Sequence, residues 1–274
     1  MIAPLSLFCS MATLYLLGGL VYFGYLATER GPLLTLGKGI WAAGFLCHSL
    51  FLGFSIFREG RFPTAGIFEA ATFFAWAVVL ASYLSTFRYR IQVMGAFTLP
   101  LVFFLILVAS VNVHERVFWN SSFSPFYFGL HTIFLFLSYA AFALAFITGL
   151  MYLVLERQIK QKTTGRFYRR LPSLEMLEEV NDRFLGLGIF LYSLGIVFGL
   201  LWSRSTVGFL MRRDPKVILS FFTWMLYVSL FTGRHFAGLR GRRVMILSVL
   251  LFGWVVASFI GVHHPVTLSM ALLP

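Results

Sequence analysis

Eight times along its length this chain runs for about 20 residues with few charged side chains or none, the length a helix needs to cross the hydrocarbon core of a bilayer. The runs extend approximately from Pro4 to Leu26, Gly39 to Phe57, Ile67 to Phe87, Met94 to Val113, Pro125 to Leu155, Phe184 to Trp202, Val217 to Gly233 and Val244 to Val262. Lipid offers no hydrogen bonds to the backbone, so apolar runs of this length must satisfy their own peptide groups as helices. The expected fold is all-α, a polytopic bundle of about eight transmembrane helices forming one integral membrane domain over residues 1–274. Only 12% of the chain is charged and 59% is hydrophobic. A soluble domain carries about a quarter charged residues, and a chain of this size cannot do without a polar surface in water. The fifth run is long enough to tilt or to project beyond the bilayer.

The net charge of +12 would point to nucleic acid in a soluble protein. Here the Lys and Arg residues fall between the apolar runs, where they orient the protein in the bilayer, and no nucleic-acid partner is expected. Of the 22 basic residues, 15 lie in or beside the loops that follow the first, third, fifth and seventh runs. The positive-inside rule puts those loops in the cytoplasm and both termini on the outer, periplasmic side of a cytoplasmic (inner) membrane. The first run has no basic leader and no small-residue cleavage site behind it, so it reads as a retained helix. Cys9 and Cys47 stand singly in apolar runs and make neither a redox pair nor a metal clip. The longest loop, from Glu156 to Asp182, contains a helically spaced stretch from Ser173 to Val180 with Ser173 placed to cap it. That stretch is expected to lie on the membrane surface or against the bundle, its acidic residues forming a solvated face.

The histidines are unevenly placed on that topology. His131 opens the fifth run, His263 and His264 follow the eighth, and His114 falls between the fourth and fifth, so four of the six share the outer face. His48 sits near the middle of the second run and His235 lies on the cytoplasmic side. A lone membrane histidine is by default a hydrogen-bonding group between helices, and His114 and His235 are read that way. Imidazole is also a good axial ligand for haem iron, and two histidines from different helices can hold one haem. His131 with His263 or His264 meets that requirement. His48 is deeper and costlier to keep, which raises its functional interest. A proton pump would string carboxylates through the membrane, and only Glu69 approaches it. The segment from Trp202 to Lys216 has an apolar centre flanked by Arg204, Arg212 and Arg213. It suits an amphipathic ligand bearing acidic groups, although by residue type alone snorkelling arginines on a short interfacial segment are the favoured reading.

Gly60 to Trp76, Leu130 to Ala141 and Leu174 to Arg243 together resemble the cytochrome c assembly family of haem-handling membrane proteins, which includes CcsA/ResC-like members and shorter HemX-like ones. Gly60-Arg61-Phe62-Pro63 through Phe68-Glu69-Ala70 to Phe73 and Trp76 is similar to the family's G-x-F-P-x-x-x-x-Y-E-S-x-x-F-x-x-W segment, with His48 at about the place of a family transmembrane histidine. Leu130-His131 through Ser138-Tyr139-Ala140-Ala141 resembles L-H-x-x-x-x-x-x-S-Y-A-A, and His131 matches the family's first outer haem-ligand histidine. The third runs from Leu174 to Arg243 and includes Gly195 to Trp202, Asp214-Pro215-Lys216, Thr223-Trp224 and Gly241-Arg242-Arg243. The likeness spans approximately residues 40 to 264.

The departures are as informative. Val207 to Val217 occupies the place of the family's W-G-x-x-W-x-W-D-P-K-E platform, keeping Gly208 and Asp214-Pro215-Lys216 but none of the tryptophans. Loss of that flat shelf removes stacking area for a porphyrin, while Arg212 and Arg213 could hold propionates. The second transmembrane histidine falls at Thr232, and the outer pair His263 and His264 lies closer to the last helix than the family's second outer histidine. The resemblance implies a haem-binding membrane protein that takes part in cytochrome c biogenesis or haem delivery, with non-covalent haem b as cofactor. It implies axial ligation by His131 and His264, and a surrounding set of His263, His48, Asp214, Arg213 and Trp202. No residue is assigned a catalytic role. The implied partners are haem and either a second cytochrome c biogenesis membrane protein or a haem-biosynthesis enzyme. The tryptophan-free platform and the short chain suit a HemX-like regulator of haem biosynthesis, acting through a surface such as the loop from Glu156 to Asp182. A small-molecule transporter is the alternative from another class. It would want helix-breaking Gly or Pro at matched places in two halves, and Pro100 is the one proline deep in a run, without a matching half.

Overall fold

The computed structural model describes residues 2–60, 66–112, 125–162, 170–207 and 215–261. Among these there are eight α-helices and no strand: α1 (Ile2–Thr28), α2 (Gly31–Glu59), α3 (Ile67–Tyr89), α4 (Met94–Val111), α5 (Pro125–Lys160), α6 (Leu174–Val207), α7 (Pro215–Phe236) and α8 (Arg242–Gly261). All eight are long and apolar enough to cross a membrane, so the protein is a multi-pass helical membrane protein. Large apolar side chains such as Leu50, Phe87, Phe190 and Leu250 point outward, as expected where the solvent is lipid.

Two helices begin well before their apolar runs, for local reasons. The second run begins at Gly39, but α2 starts at Gly31, only two residues after α1 ends. Glu29 turns the chain with φ 60°, and Pro32 enters in the first turn, where its missing N–H has no partner to lose. Lys38 is exposed on this added stretch and costs the helix nothing. At the far end Gly60 (φ 63°) closes α2 with its N–H on the Ile56 carbonyl at 2.9 Å. The helical stretch after Ser173, expected on the membrane surface or against the bundle, packs against the bundle as the first part of α6. Ser173 caps it as the spacing suggests, Oγ accepting from Met176 N–H at 3.2 Å. No Gly or Pro interrupts the chain between Leu174 and Leu185, and Leu177, Val180 and Leu185 are all buried on one face. The helix therefore runs on into the bundle, leaving Glu175 and Glu179 exposed.

The helices pack as two groups of four. In the first, α1 lies against α2 and α4, and α3 against α4. In the second, α5 lies against α6 and α8, and α7 against both of these. Packing of α3 on α5 joins the groups. Much of the polar glue repeats one device, an indole N–H donated to a hydroxyl on the preceding helix. Trp76 reaches Ser49 Oγ at 2.9 Å, Trp224 reaches Ser193 Oγ at 2.9 Å, and Trp254 reaches Thr223 Oγ1 at 3.0 Å. Each hydroxyl passes its own proton back to a carbonyl one turn earlier, so none of these three indole–hydroxyl pairs is left with an unused donor. One end of the bundle carries an ionic cluster in which Arg234 Nε meets Asp182 Oδ1 at 2.9 Å, Arg242 meets Glu156 at 3.6 Å and Arg170 meets Glu29 at 3.8 Å. The start of α5, with His131, is at the other end.

Candidate functional site

His131 sits in the second turn of α5, facing the last turns of α6. Its Nδ1 lies 2.7 Å from the carbonyl of Gly195. A carbonyl only accepts, so Nδ1 carries the proton and the lone pair of the neutral ring is on Nε2. The ring fits because residue 199 has no side chain: a Cβ there would stand 2.6 Å from Nδ1 and 2.8 Å from Cε1. One heptad further down α5, Ser138 Oγ donates to the Gly188 carbonyl at 2.8 Å. The antiparallel pair α5–α6 thus makes two side-chain-to-carbonyl bonds in the same register, each at a glycine that allows close approach. The walls near His131 are aromatic. Phe128 and Trp202 lie 5.1 Å apart between ring centroids, and Phe134 and Phe198 stack at 5.4 Å and 5°.

His48 has a different setting. It is fully buried. Nε2 lies 3.1 Å from the Thr72 carbonyl and Nδ1 lies 3.2 Å from the Tyr15 hydroxyl. By the same reasoning Nε2 carries the proton, and Nδ1 accepts from Tyr15. Both nitrogens are engaged, and the ring ties α1, α2 and α3 together. An iron could bind it only after one of these bonds was broken. His235 belongs to the ionic end: Nδ1 donates to Phe231 O at 2.9 Å, and Nε2 is 3.6 Å from Asp182 Oδ2. Thr232, at the place of the family's second transmembrane histidine, is exposed and bonds back to Val228 O at 2.9 Å.

Of the expected site residues, the structure places His131 and Trp202 at one end of the α5–α6 pair and keeps His48 apart from them in the first group of helices. His263, His264, Arg213 and Asp214, like His114, lie outside the described residues. The described chain nevertheless approaches His131's end of the bundle at the close of α8, where Phe259 packs on Phe136 of α5 at 6.2 Å. Sequence reasoning missed Gly195 and Gly199 around His131, and Tyr15 and Thr72 around His48. The one-turn spacing of Gly195 and Gly199 was the available signal for close helix approach. The partners of His48 are 33 and 24 residues away in sequence and leave no local trace. Among the described residues, no three His, Cys, Asp or Glu side chains gather as a metal-ion cage. Haem iron asks less, since the porphyrin supplies four donors and the protein only one or two axial ligands. An imidazole with its lone pair on Nε2, set among aromatic walls, fits that need.

The family described as cytochrome C assembly protein matches residues 64–265. Protein HemX of Brevibacillus brevis is 27% identical over 250 residues, covering 90% of this chain and 92% of that protein. The cytochrome c biogenesis protein CcsA of Microcystis aeruginosa is 24% identical, covering 89% of each chain. Protein HemX of Bacillus subtilis is 26% identical over 184 residues, covering 66% of each.

Proposed function

We infer the function from one premise: this chain belongs to the cytochrome c assembly family. It is a haem-handling multi-pass membrane protein acting in cytochrome c biogenesis or haem delivery. The observation that carries the reading is His131, held by Nδ1 against Gly195 at 2.7 Å, which sets its tautomer so that the ring lone pair is on Nε2. In this reading non-covalent haem b is the cofactor, and His131 together with His263 or His264 would hold its iron. Arg213 and Asp214 engage the propionate edge, and Trp202 and Phe128 supply apolar wall. Haem, when bound, supplies the iron and the redox chemistry. The chain's own residues hold the imidazole in one tautomer and exclude water with aromatic side chains. His48 serves as an interhelical joint. The protein sits in the inner membrane with the ionic end in the cytoplasm and His131's end outside, as the loop charges favour. The partners are haem and a second membrane protein of cytochrome c biogenesis.

One observation favours a second reading inside the same family. No tryptophan stands between Val207 and Val217, which leaves the stacking shelf of a haem-presenting member unfilled. On that reading the protein is a HemX-like accessory that adjusts haem biosynthesis through a biosynthetic enzyme docked at the ionic end. A transporter built on broken helices receives no support, because among the described residues every span is continuous, α4 passing through Pro100 without a break. The test is purification from membranes of cells supplied with ample haem. A Soret band and a pyridine haemochrome of b type are expected, and a preparation without either removes the haem reading.

A further inference from the structure

We propose that the Gly195 carbonyl and the side-chain-free surface at Gly199 form the orienting shell of His131, fixing its tautomer and ring plane so that Nε2 is the iron-binding nitrogen. The inference rests on the haem reading and deepens it. Histidines that bind metals almost always donate their other N–H to a carbonyl or carboxylate, which sets the ring's orientation and raises its basicity. Here the acceptor is a backbone carbonyl on a neighbouring helix at 2.7 Å, and it cannot rotate away as a side chain can. The acceptor is also uncharged, so the imidazole stays neutral and does not drift toward imidazolate. Close contact is possible only because Gly199 is bare, a Cβ there meeting Nδ1 at 2.6 Å. Under 3 Å something must move. The ring can move only by turning about its own side-chain bonds, which breaks the Gly195 bond. The register repeats at Ser138 and Gly188, so the geometry belongs to a rigid α5–α6 pair and not to a loop. Gly195 and Gly199 are therefore positioning residues, and neither touches the iron.

The experiment compares Gly199→Ala with Gly188→Ala in full-length protein. Gly188 lies in the same helix interface, where an added Cβ meets Phe142 at 2.4 Å and stays clear of His131. Gly199→Ala should weaken haem binding by roughly 10- to 100-fold, the usual effect of removing an outer-shell partner. It should also broaden or shift the low-spin ferric signature and move the reduction potential. Gly188→Ala should lower thermal stability while leaving affinity, spectrum and potential at wild-type values. Equal losses of affinity in both variants would reduce the effect to packing and overturn the proposal, as would an unchanged Gly199→Ala. If Gly199→Ala does not insert, 15N-histidine NMR of the haem-free wild type decides. The His131 signal, identified by its loss in His131→Asn, should show the Nδ1–H tautomer, and an Nε2–H tautomer overturns the proposal. A wild type that never takes up haem would sink the reading beneath while the tautomer measurement still judged the geometry.

Discussion

Replacing His48 with leucine separates a structural histidine from a ligand. The volumes are similar, so little cavity is left, and the cost comes from hydrogen bonds. The variant strands the Tyr15 hydroxyl, which is 3.2 Å from Nδ1 in a residue with no exposure to solvent. A stranded buried group costs about 1–3 kcal/mol. It also removes the donor to Thr72 O at 3.1 Å, a bond worth about 0.6 kcal/mol on the average for interhelical bonds in membranes. The expected loss is roughly 2–3 kcal/mol, a fall of about 5–10 °C in melting temperature for a chain of this size. Tyr15→Phe strands the buried His48 Nδ1 acceptor in turn and should cost about 1–3 kcal/mol. The double variant should recover most of the deficit, because the hydroxyl that His48→Leu strands is then absent. The assay is thermal unfolding in detergent of chains carrying Cys9→Ser, since Cys9 is exposed, followed by a thiol-reactive dye at Cys47, which is half-buried on α2, with haem content measured in parallel. Haem per folded protein should stay at the wild-type level in all three variants. Additive losses, or loss of haem from His48→Leu protein of normal stability, would refute the joint and return His48 to the list of ligands.

Other expectations follow from the same geometry. Trp76→Phe and Trp224→Phe each remove one indole-to-serine bond; each should cost about 1 kcal/mol, and the two should add, since they lie in different groups of helices. Gly95→Ala should destabilise by about 1–3 kcal/mol through overpacking, its Cβ falling 2.5 Å from the Tyr22 ring. Arg234→Gln leaves Asp182 without its 2.9 Å guanidinium partner and should cost roughly 2 kcal/mol, with Asp182→Asn in the same chain restoring part of it. A cysteine at residue 165 in a chain lacking Cys9 and Cys47 should resist impermeant maleimide in intact cells; labelling there would invert the topology.

The eight spans were legible because hydrophobic length alone decides them, and α3 begins at Ile67 where the apolar run begins. What failed was the treatment of charge and amphipathicity at the ends. Lys38 and Pro32 looked like loop, yet an exposed lysine and a first-turn proline both suit a helix. The stretch after Ser173 was legible as helical, but its continuity with the sixth span was not: with no breaker before Leu185, backbone hydrogen bonding carries through it. The site was half legible. His131 was found through its neighbours in sequence, but its acceptor Gly195 lies 64 residues on, and only packing of α5 on α6 brings them together. His48 looked costly to bury because its partners could not be seen. With Tyr15 and Thr72 in place, the burial is largely compensated.

The most direct measurement is a pair of absorbance and electron paramagnetic resonance spectra, wild type against His131→Ala, after expression with ample haem. The haem reading predicts a low-spin, bis-imidazole b-type spectrum in the wild type. In the variant it predicts conversion to a high-spin, partly emptied form that added imidazole restores. Identical spectra and haem content in the two proteins would contradict it.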